Sequence, residues 1–314
     1  MSKTSIDPTE PSHRFALNGP TMGSRWSAVF FADAGFDSAG LAARLQAAVE
    51  RVERQMSTWR PTSDLERLNA APVGAWIEVP EDLFGVLGAA LEIGRLSEGA
   101  FDVGVGDLVR AWGFGGGTRT PDGRAIAAIA GRPSFEPPKT LILDPSARRV
   151  RKLAPLRIDL SGIAKGFGVD ELAREAERSG LSSFLVGIDG ELRAAGTKPG
   201  GTAWAVGQER PDGKSRDLLG LIELRDAAIA TSGNYRHVVE VAGRTLSHTM
   251  DPRTGAPLDN DLAAVTVTAP TCMAADAWAT ALMVRGRREG LALAERLGIS
   301  AIFVGTDGRV ATTM

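Results

Sequence analysis

Short strand-like segments separated by turn residues fill the second half of the chain and most restrict its fold. Asp189 and Gly190 form a tight-turn pair inside residues 185–194, a pattern typical of a β-hairpin and therefore of antiparallel strands. Helical segments interrupt the strands without alternating with them strictly. The predicted strands lie at 157–160, 184–188, 203–208, 219–224, 238–241, 264–268 and 302–304, and the predicted helices at 169–178, 274–284 and 287–297.

The first half supplies a strand and two helices. Trp26, Ala28 and Phe30 alternate with less apolar residues, which predicts a half-buried strand. We predict an α+β fold with mixed, largely antiparallel sheets and packed helices. One large domain at residues 13–314 would follow a disordered tail at 1–12. The remaining predictions are a strand at 21–32, helices at 41–56 and 81–97, and a loop-rich insertion with one short helix at 113–138.

Composition excludes several classes of function. The 314 residues carry 36 basic and 38 acidic side chains, well mixed, so nucleic-acid binding has no electrostatic support. No apolar run reaches the length of a transmembrane helix, so membrane insertion is not expected. The N-terminal residues lack the apolar core of a signal peptide, and Cys272 is the only cysteine. These features predict a reduced, cytoplasmic protein.

The segment at residues 247–280 concentrates polar groups that handle protons, metals and phosphates. Asp276 and Thr280 are four residues apart on a predicted Ala-rich helix, so their side chains project from one face. A carboxylate and a hydroxyl are hard oxygen ligands that suit Mg²⁺. The structural alternative is that both side chains satisfy nearby backbone groups. His248 could move a proton near neutral pH, although a lone histidine is more often structural, and Asp251 begins a predicted turn.

A second polar segment runs from a predicted strand at Asp159 into a helix. Its glycine-containing loop could offer backbone groups and the Lys165 ammonium to an anion, or it could be an ordinary connection with a solvated lysine. Thr231 begins a further polar loop that could donate to phosphate. Gly104 and Gly106 start like a dinucleotide fingerprint, but the third glycine is missing, so a Rossmann site is excluded.

The order of these motifs is more specific than any one of them, and it resembles the ApbE family of FAD:protein FMN transferases. The resemblance spans about residues 18–306, and its last three motifs are the most specific. The motifs are ProThrMetGlySer at 20–24, MetSerThrTrp at 56–59, SerGluGlyAlaPheAsp at 97–102, IleAspLeuSerGlyIleAlaLysGly at 158–166, AlaThrSerGlyAsnTyrArg at 230–236, SerHisThrMetAspProArgThrGly at 247–255 and AlaAspAlaTrpAlaThr at 275–280.

The resemblance implies a single α+β domain related to the tunnelling fold. It implies FAD as substrate, Mg²⁺ as cofactor, and transfer of FMN to a threonine hydroxyl in the flavinylation motif of an acceptor flavoprotein, with release of AMP. Gly162, through its carbonyl, Asp276 and Thr280 would hold Mg²⁺, and His248 matches a histidine thought to be needed for transfer. The residues implied in FAD binding are Met22, Trp59, Ala100, Phe101, Asp102, Asp159, Lys165, Thr231 and Met250.

Three positions depart from the family pattern, and none of them removes an implied metal ligand. Trp59 and Phe167 stand where tyrosine is common, and Asp189 stands where glycine is usual. The base that takes the threonine proton is left open between His248 and a nearby carboxylate such as Asp251. Two other functions also stay open: hydrolysis of FAD to FMN and AMP, and flavin binding without catalysis.

Overall fold

The computed structural model describes residues 13–114, 120–129, 140–211, 217–234, 238–241 and 244–313. The predicted tail at 1–12 and part of the predicted insertion lie outside these residues. None of the helices in the described ranges combines the length and apolar composition of a membrane span. The helices are α1 (Ser38–Met56), α2 (Asp64–Ala70), α3 (Glu81–Leu96), α4 (Gly106–Ala111), α5 (Gly123–Ile129), α6 (Ala164–Arg178) and α7 (Cys272–Leu297).

The strands form one large sheet and several small ones, so the fold is α+β with largely antiparallel sheets, as predicted. The main sheet has eight strands in the order β1-β2-β6-β7-β10-β15-β16-β17. The strands are β1 (His13–Thr21), β2 (Ser24–Ala32), β3 (Trp76–Glu78), β4 (Leu141–Asp144), β5 (Arg149–Lys152), β6 (Phe184–Ile188), β7 (Glu191–Ala195), β8 (Trp204–Glu209), β9 (Leu218–Leu224), β10 (Ala227–Gly233), β11 (Val238–Val241), β12 (Arg244–Ser247), β13 (Met250–Asp251), β14 (Ala256–Pro257), β15 (Leu262–Ala269), β16 (Ser300–Gly305) and β17 (Val310–Thr312).

The main sheet is covered on both faces. Along β2, Trp26 and Phe30 are buried with residues of α1 and α6, as the predicted alternation requires. Phe31 points to the other face, where it packs with Trp204 of the β8–β9 hairpin. The hairpin and the helices therefore lie on opposite sides of the sheet.

Helix α7 joins the main core to a second one. Its residues Ala275 and Ala279 pack with strands β15 and β16. Ala277 and Ala281, on the neighbouring face, pack instead with α2, α3 and the β3-β5-β4 sheet. Because α7 is apolar on two faces, its position is fixed from both sides.

Helices α6 and α7 approach each other very closely at Gly166. A β-carbon on Gly166 would lie 2.4 Å from the carbonyl oxygen of Cys272, so only glycine fits. One turn further along α6, the buried Asp170 carboxylate accepts hydrogen bonds from the backbone N–H groups of Cys272 and Met273, both at 2.9 Å. Arg193 donates to the same carboxylate at 2.7 Å. Asp170 therefore caps α7 from a neighbouring helix.

Some local predictions differ from the structure. Residues 157–160 form no strand; Arg157 makes only an isolated bridge with Val105. Strand β1 was missed because its connection to β2 is a two-residue turn at Met22 and Gly23, with φ of 48° and 69°. Such a turn normally carries Asn or Asp before glycine, and methionine hides the signal. The helices predicted at 274–284 and 287–297 are the two halves of α7, which breaks at Gly286.

Replacing Asp170 tests how far the fold depends on this cap. Asp170→Asn leaves Arg193 without a buried counter-charge and places amide hydrogens against backbone donors, so we expect about 3–5 kcal/mol less stability in urea unfolding. The matched control is Asp37→Asn, because Asp37 caps α1 at an exposed position and asparagine caps equally well. Equal, small losses of stability in both variants would contradict the assignment of Asp170 as the buried cap of α7.

Candidate functional site

A cavity of about 820 Å³ lies between the start of α6, the first half of α7, strands β10 and β15, and the β8–β9 hairpin. Its volume falls in the range of small-molecule and cofactor sites. All but one of the predicted site residues line it. These are Met22, Trp59, Ala100, Phe101, Asp102, Asp159, Gly162, Lys165, Thr231, His248, Met250, Asp276 and Thr280.

Asp276 is one of two deeply buried acids on the cavity wall, with Glu191. It is 5% exposed, and its Oδ2 accepts a hydrogen bond from the Gly166 N–H at 3.0 Å. Burial and the nearby Glu191 carboxylate raise the pKa of Asp276 to about 7, even though Lys165 and the Gly166 amide lower it. A carboxylate in this setting gains from a bound cation, which would replace the proton.

Thr280 and Gly162 complete an oxygen-rich corner beside Asp276. Thr280 lies one turn after Asp276 on α7, and its Oγ1 is 3.0 Å from the Ser232 hydroxyl. The β-carbon position of Gly162 is 3.1 Å from the same Thr280 oxygen. The three residues predicted as metal ligands therefore meet, although Gly162 is far from the other two in sequence.

This corner fits a hard cation better than a transition metal. Its candidate donors are a carboxylate, a hydroxyl and a backbone carbonyl, the oxygen ligands that Mg²⁺ takes in proteins while keeping several waters. Within the described ranges, no cluster of three or more His, Cys, Asp or Glu side chains could hold a metal. The donor set thus agrees with the predicted magnesium site, which remains a prediction.

Lys165 is held in the cavity by acids. Its ammonium lies 2.7 Å from Glu191 Oε1 and 3.7 Å from Asp189 Oδ2. Burial lowers the pKa of Lys165, but the Glu191 and Asp276 carboxylates outweigh this effect and raise it. Lys165 is therefore charged at neutral pH and stands beside Asp276.

Hydrogen bonds hold the loops that carry several of the predicted FAD-binding residues. Met22 adopts a positive φ, and its N–H donates to Glu53 of α1, which also accepts from Thr21. Asp102 and Asp159 each accept the N–H of the residue two positions ahead, at 2.6 and 2.8 Å. These contacts set the direction of the cavity-lining segments.

The remaining predicted residues differ in exposure. Trp59 is 70% exposed, which leaves its ring free to cover a planar ligand at the cavity wall, whereas Met250 is buried. The Thr231 hydroxyl is 2.9 Å from that of Thr266. His248 lies on the wall next to Met250.

Asp251 is the predicted site residue that does not line the cavity. Its carboxylate is mostly buried and accepts two hydrogen bonds from the Arg253 side chain, both at 3.1 Å. A carboxylate engaged in this way is poorly placed to take a proton from a ligand in the cavity. Of the two residues predicted as possible bases, only His248 lines the cavity.

Several cavity residues were not predicted. Glu191 follows the Asp189–Gly190 turn, and its position at the start of a strand after a tight turn gave no functional signal. Gln208 belongs to the β8–β9 hairpin and donates to Thr266 at 3.0 Å, a contact between segments 58 residues apart. The pairing of Glu191 with Lys165 would have indicated its role, but the two residues are 26 positions apart and meet only in the folded protein.

Proteins of one family are similar to this chain over most of its length. A model described as the ApbE family matches residues 22–303. A Vibrio cholerae protein named FAD:protein FMN transferase is 36% identical over 296 residues, which are 94% of this chain and 88% of that protein. A Klebsiella pneumoniae protein of the same name is 34% identical over 93% of this chain and 84% of its own length. The solved structure of flavin transferase ApbE from Vibrio cholerae has a TM-score of 0.85, is 36% identical, and covers 96% of this chain and 97% of that one.

The raised pKa of Asp276 makes stability depend on pH. The folded protein holds this proton up to about pH 7, while the unfolded chain releases it near 3.8, so the metal-free protein loses stability as pH rises through that window.

The Asp276→Asn variant has no carboxyl group to titrate at this position. We expect its melting temperature in a chelator to exceed that of the wild type by a margin that grows from pH 4 to pH 7. Asp144→Asn is the control: hydrogen bonds from Ser146 and Arg149 lower the pKa of Asp144 to about 2, so its loss should lower the melting temperature by a margin that hardly changes between pH 4 and pH 7. A margin for Asp276→Asn that does not change with pH would contradict the prediction.

Replacing Gly166 tests the close approach that places Asp276. In Gly166→Ala the new β-carbon would lie 2.8 Å from the Asp276 β-carbon and closer still to the backbone of α7. The helices must then separate, at a cost of roughly 1–3 kcal/mol in denaturant unfolding, and Mg²⁺ binding measured by calorimetry should weaken. Gly85→Ala is the control, because a β-carbon on this helical glycine would meet nothing within 4 Å. Unchanged Mg²⁺ binding in Gly166→Ala would count against the predicted magnesium site at Asp276.

Proposed function

Because this chain belongs to the ApbE family, we propose that it transfers FMN from FAD to a threonine hydroxyl of an acceptor flavoprotein and releases AMP. The observation that carries the proposal is the meeting of Asp276, Thr280, Gly162 and Lys165 in one cavity. These residues come from two distant segments, and together they offer oxygen ligands and a positive charge to a pyrophosphate.

The reaction is a displacement at the FMN-side phosphorus of FAD. The threonine oxygen forms a bond to this phosphorus while the bond from the phosphorus to the bridging oxygen breaks. AMP leaves with that oxygen and its electron pair, and the threonine proton passes to a base. Catalysis of this kind depends mainly on positioning and on neutralising charge.

We assign the binding of Mg²⁺ to Asp276, Thr280 and the Gly162 carbonyl. When bound, Mg²⁺ supplies positive charge that neutralises pyrophosphate oxygens. The raised pKa of Asp276 supports this assignment, because a buried carboxylate with a neighbouring acid is costly without a cation. The Thr280 hydroxyl is held by that of Ser232, and Gly162 lies close to Thr280.

Lys165 and His248 act on the reacting groups in this proposal. The Lys165 ammonium, fixed by Glu191, adds positive charge where charge develops on the leaving AMP. His248 takes the threonine proton, since it lies on the cavity wall and a histidine side chain can act as a general base. We do not assign this step to Asp251, whose carboxylate is occupied by Arg253.

The rest of the cavity would hold FAD. Trp59 offers an exposed ring for stacking on the flavin, and Met22, Phe101 and Met250 offer apolar contacts. The Asp102 and Asp159 side chains and the Thr231 hydroxyl offer hydrogen bonds to polar groups of the ligand. The acceptor threonine would then enter from the open side of the cavity.

The proposed function is tested by intact-mass spectrometry of an acceptor flavoprotein incubated with the protein, FAD and Mg²⁺. We expect the acceptor to gain one FMN and an equal amount of AMP to appear. The matched control is an acceptor whose motif threonine is replaced by valine. Rapid AMP release without acceptor labelling would indicate hydrolysis of FAD instead, and FAD binding with neither product would indicate a carrier.

Two variants test the residue roles in the same assay. Asp276→Ala should abolish Mg²⁺-dependent transfer while the protein stays folded, because the metal loses its charged ligand. His248→Ala should bind FAD normally and lose transfer by about 100-fold or more, the usual contribution of a positioned acid or base. Full transfer by either variant would remove that residue from the mechanism.

A further inference from the structure

We infer that Arg253 is a positioning residue: its guanidinium, held by Asp251, fixes the cavity-lining residues 248–250 to the break in helix α7. The inference deepens the proposed function and rests on it where catalysis is concerned. It also gives a role to the Asp-Pro-Arg-Thr-Gly motif at 251–255, which contains neither a proposed metal ligand nor the proposed base.

The break in α7 is a local feature of Gly286. Its φ of 78° and ψ of 172° lie in a region that is open almost only to glycine. Carbonyl groups in the last turn of a helix lack partners within the helix, and side chains often satisfy them. Here the Met283 carbonyl accepts from Asn260 at 2.8 Å and the Val284 carbonyl accepts from Arg253 at 3.3 Å.

Arg253 contacts both sides of this break. Its Nη2 reaches the Val284 carbonyl, in the half of α7 that carries Asp276 and Thr280. Its Nη1 lies 3.7 Å from Glu289, in the following half. A cation at the carbonyl end of a helix is also favoured by the helix dipole. The guanidinium therefore ties itself to α7 at two points across the break.

Asp251 orients the guanidinium for these contacts. Its two carboxylate oxygens accept from Nε and Nη2 of Arg253, both at 3.1 Å, and its Oδ1 also accepts the Arg253 N–H at 2.9 Å. A planar, two-point pair of this kind fixes direction as well as distance, which a lysine cannot reproduce.

The same turn is bonded to the segment that lines the cavity. Met250 and Asp251 form β13, which pairs with β14, and the Leu258 N–H donates to the Thr249 carbonyl at 2.8 Å. Residues His248, Thr249 and Met250 lie on the cavity wall. A shift of Arg253 against α7 would therefore move this wall relative to Asp276 and Thr280.

Kinetics of FMN transfer test the catalytic consequence. In Arg253→Ala we expect kcat to fall on the order of 100-fold, the effect of a displacement near 1 Å, while the KM for FAD changes by less than about threefold. Ethylguanidinium should restore part of the lost kcat, and methylammonium should not, because only the former can pair with Asp251 at two points. Arg253→Lys should behave like Arg253→Ala.

Hydrogen exchange tests the structural part independently of turnover. In Arg253→Ala the amides of residues 249–258 should exchange faster, while those of residues 274–282 keep the wild-type rate. Arg287→Ala is the matched control, because Arg287 also follows the break but pairs with Asp307 and Asp261. It should change neither exchange at 249–258 nor kcat.

The outcomes separate this inference from the proposed function. If the wild-type protein transfers no FMN, the proposed function fails. The positioning role is then still tested by hydrogen exchange, and unchanged exchange at residues 249–258 in Arg253→Ala would overturn it. If the wild type transfers FMN and Arg253→Ala matches it in kcat, the inference alone fails. A loss of kcat with an equal loss of FAD affinity and no guanidinium rescue would also overturn it.

Discussion

The close contact between helices α6 and α7 is the constraint on which the site depends. Gly166 lets the two backbones approach, and Asp170 binds the first N–H groups of α7. This contact brings the loop at residues 158–166 against Asp276, so the Gly166 amide can donate to its carboxylate. Without it, the two halves of the proposed metal site, on separate elements of the fold, would not meet.

The contact also concentrates buried charge, which a cavity for an anionic ligand requires. Asp276, Glu191 and Lys165 lie together: burial and Glu191 raise the pKa of Asp276, and the two carboxylates raise the pKa of Lys165. Such a cluster is costly in a folded protein unless each charge has a partner. Lys165 partners Glu191, and in the proposed function Mg²⁺ partners Asp276, so the cost of the cluster is offset when metal and substrate bind.

Sequence reasoning predicted those parts of the site that local patterns encode. The four-residue spacing of Asp276 and Thr280 places both on one helix face, and the motif order indicated that Gly162 and Lys165 belong with them. Glu191 and Gln208 were missed because their importance arises from contacts between distant segments. Asp251 was predicted as a possible base because a carboxylate near His248 suits that role, but the structure shows its carboxylate paired with Arg253, which in turn contacts α7. In the same way, strand β1 was missed because methionine occupies a turn position that usually carries Asn or Asp.

The most direct test of this account is the location of the metal. A crystal of the protein with FAD and Mn²⁺ in place of Mg²⁺ would show the ion by its anomalous scattering. We predict one peak within coordination distance of an Asp276 oxygen, the Thr280 hydroxyl and the Gly162 carbonyl, beside the FAD pyrophosphate. A metal peak elsewhere in the cavity, with Asp276 bound only to the Gly166 amide, would contradict the claim that the α6–α7 contact builds the catalytic site.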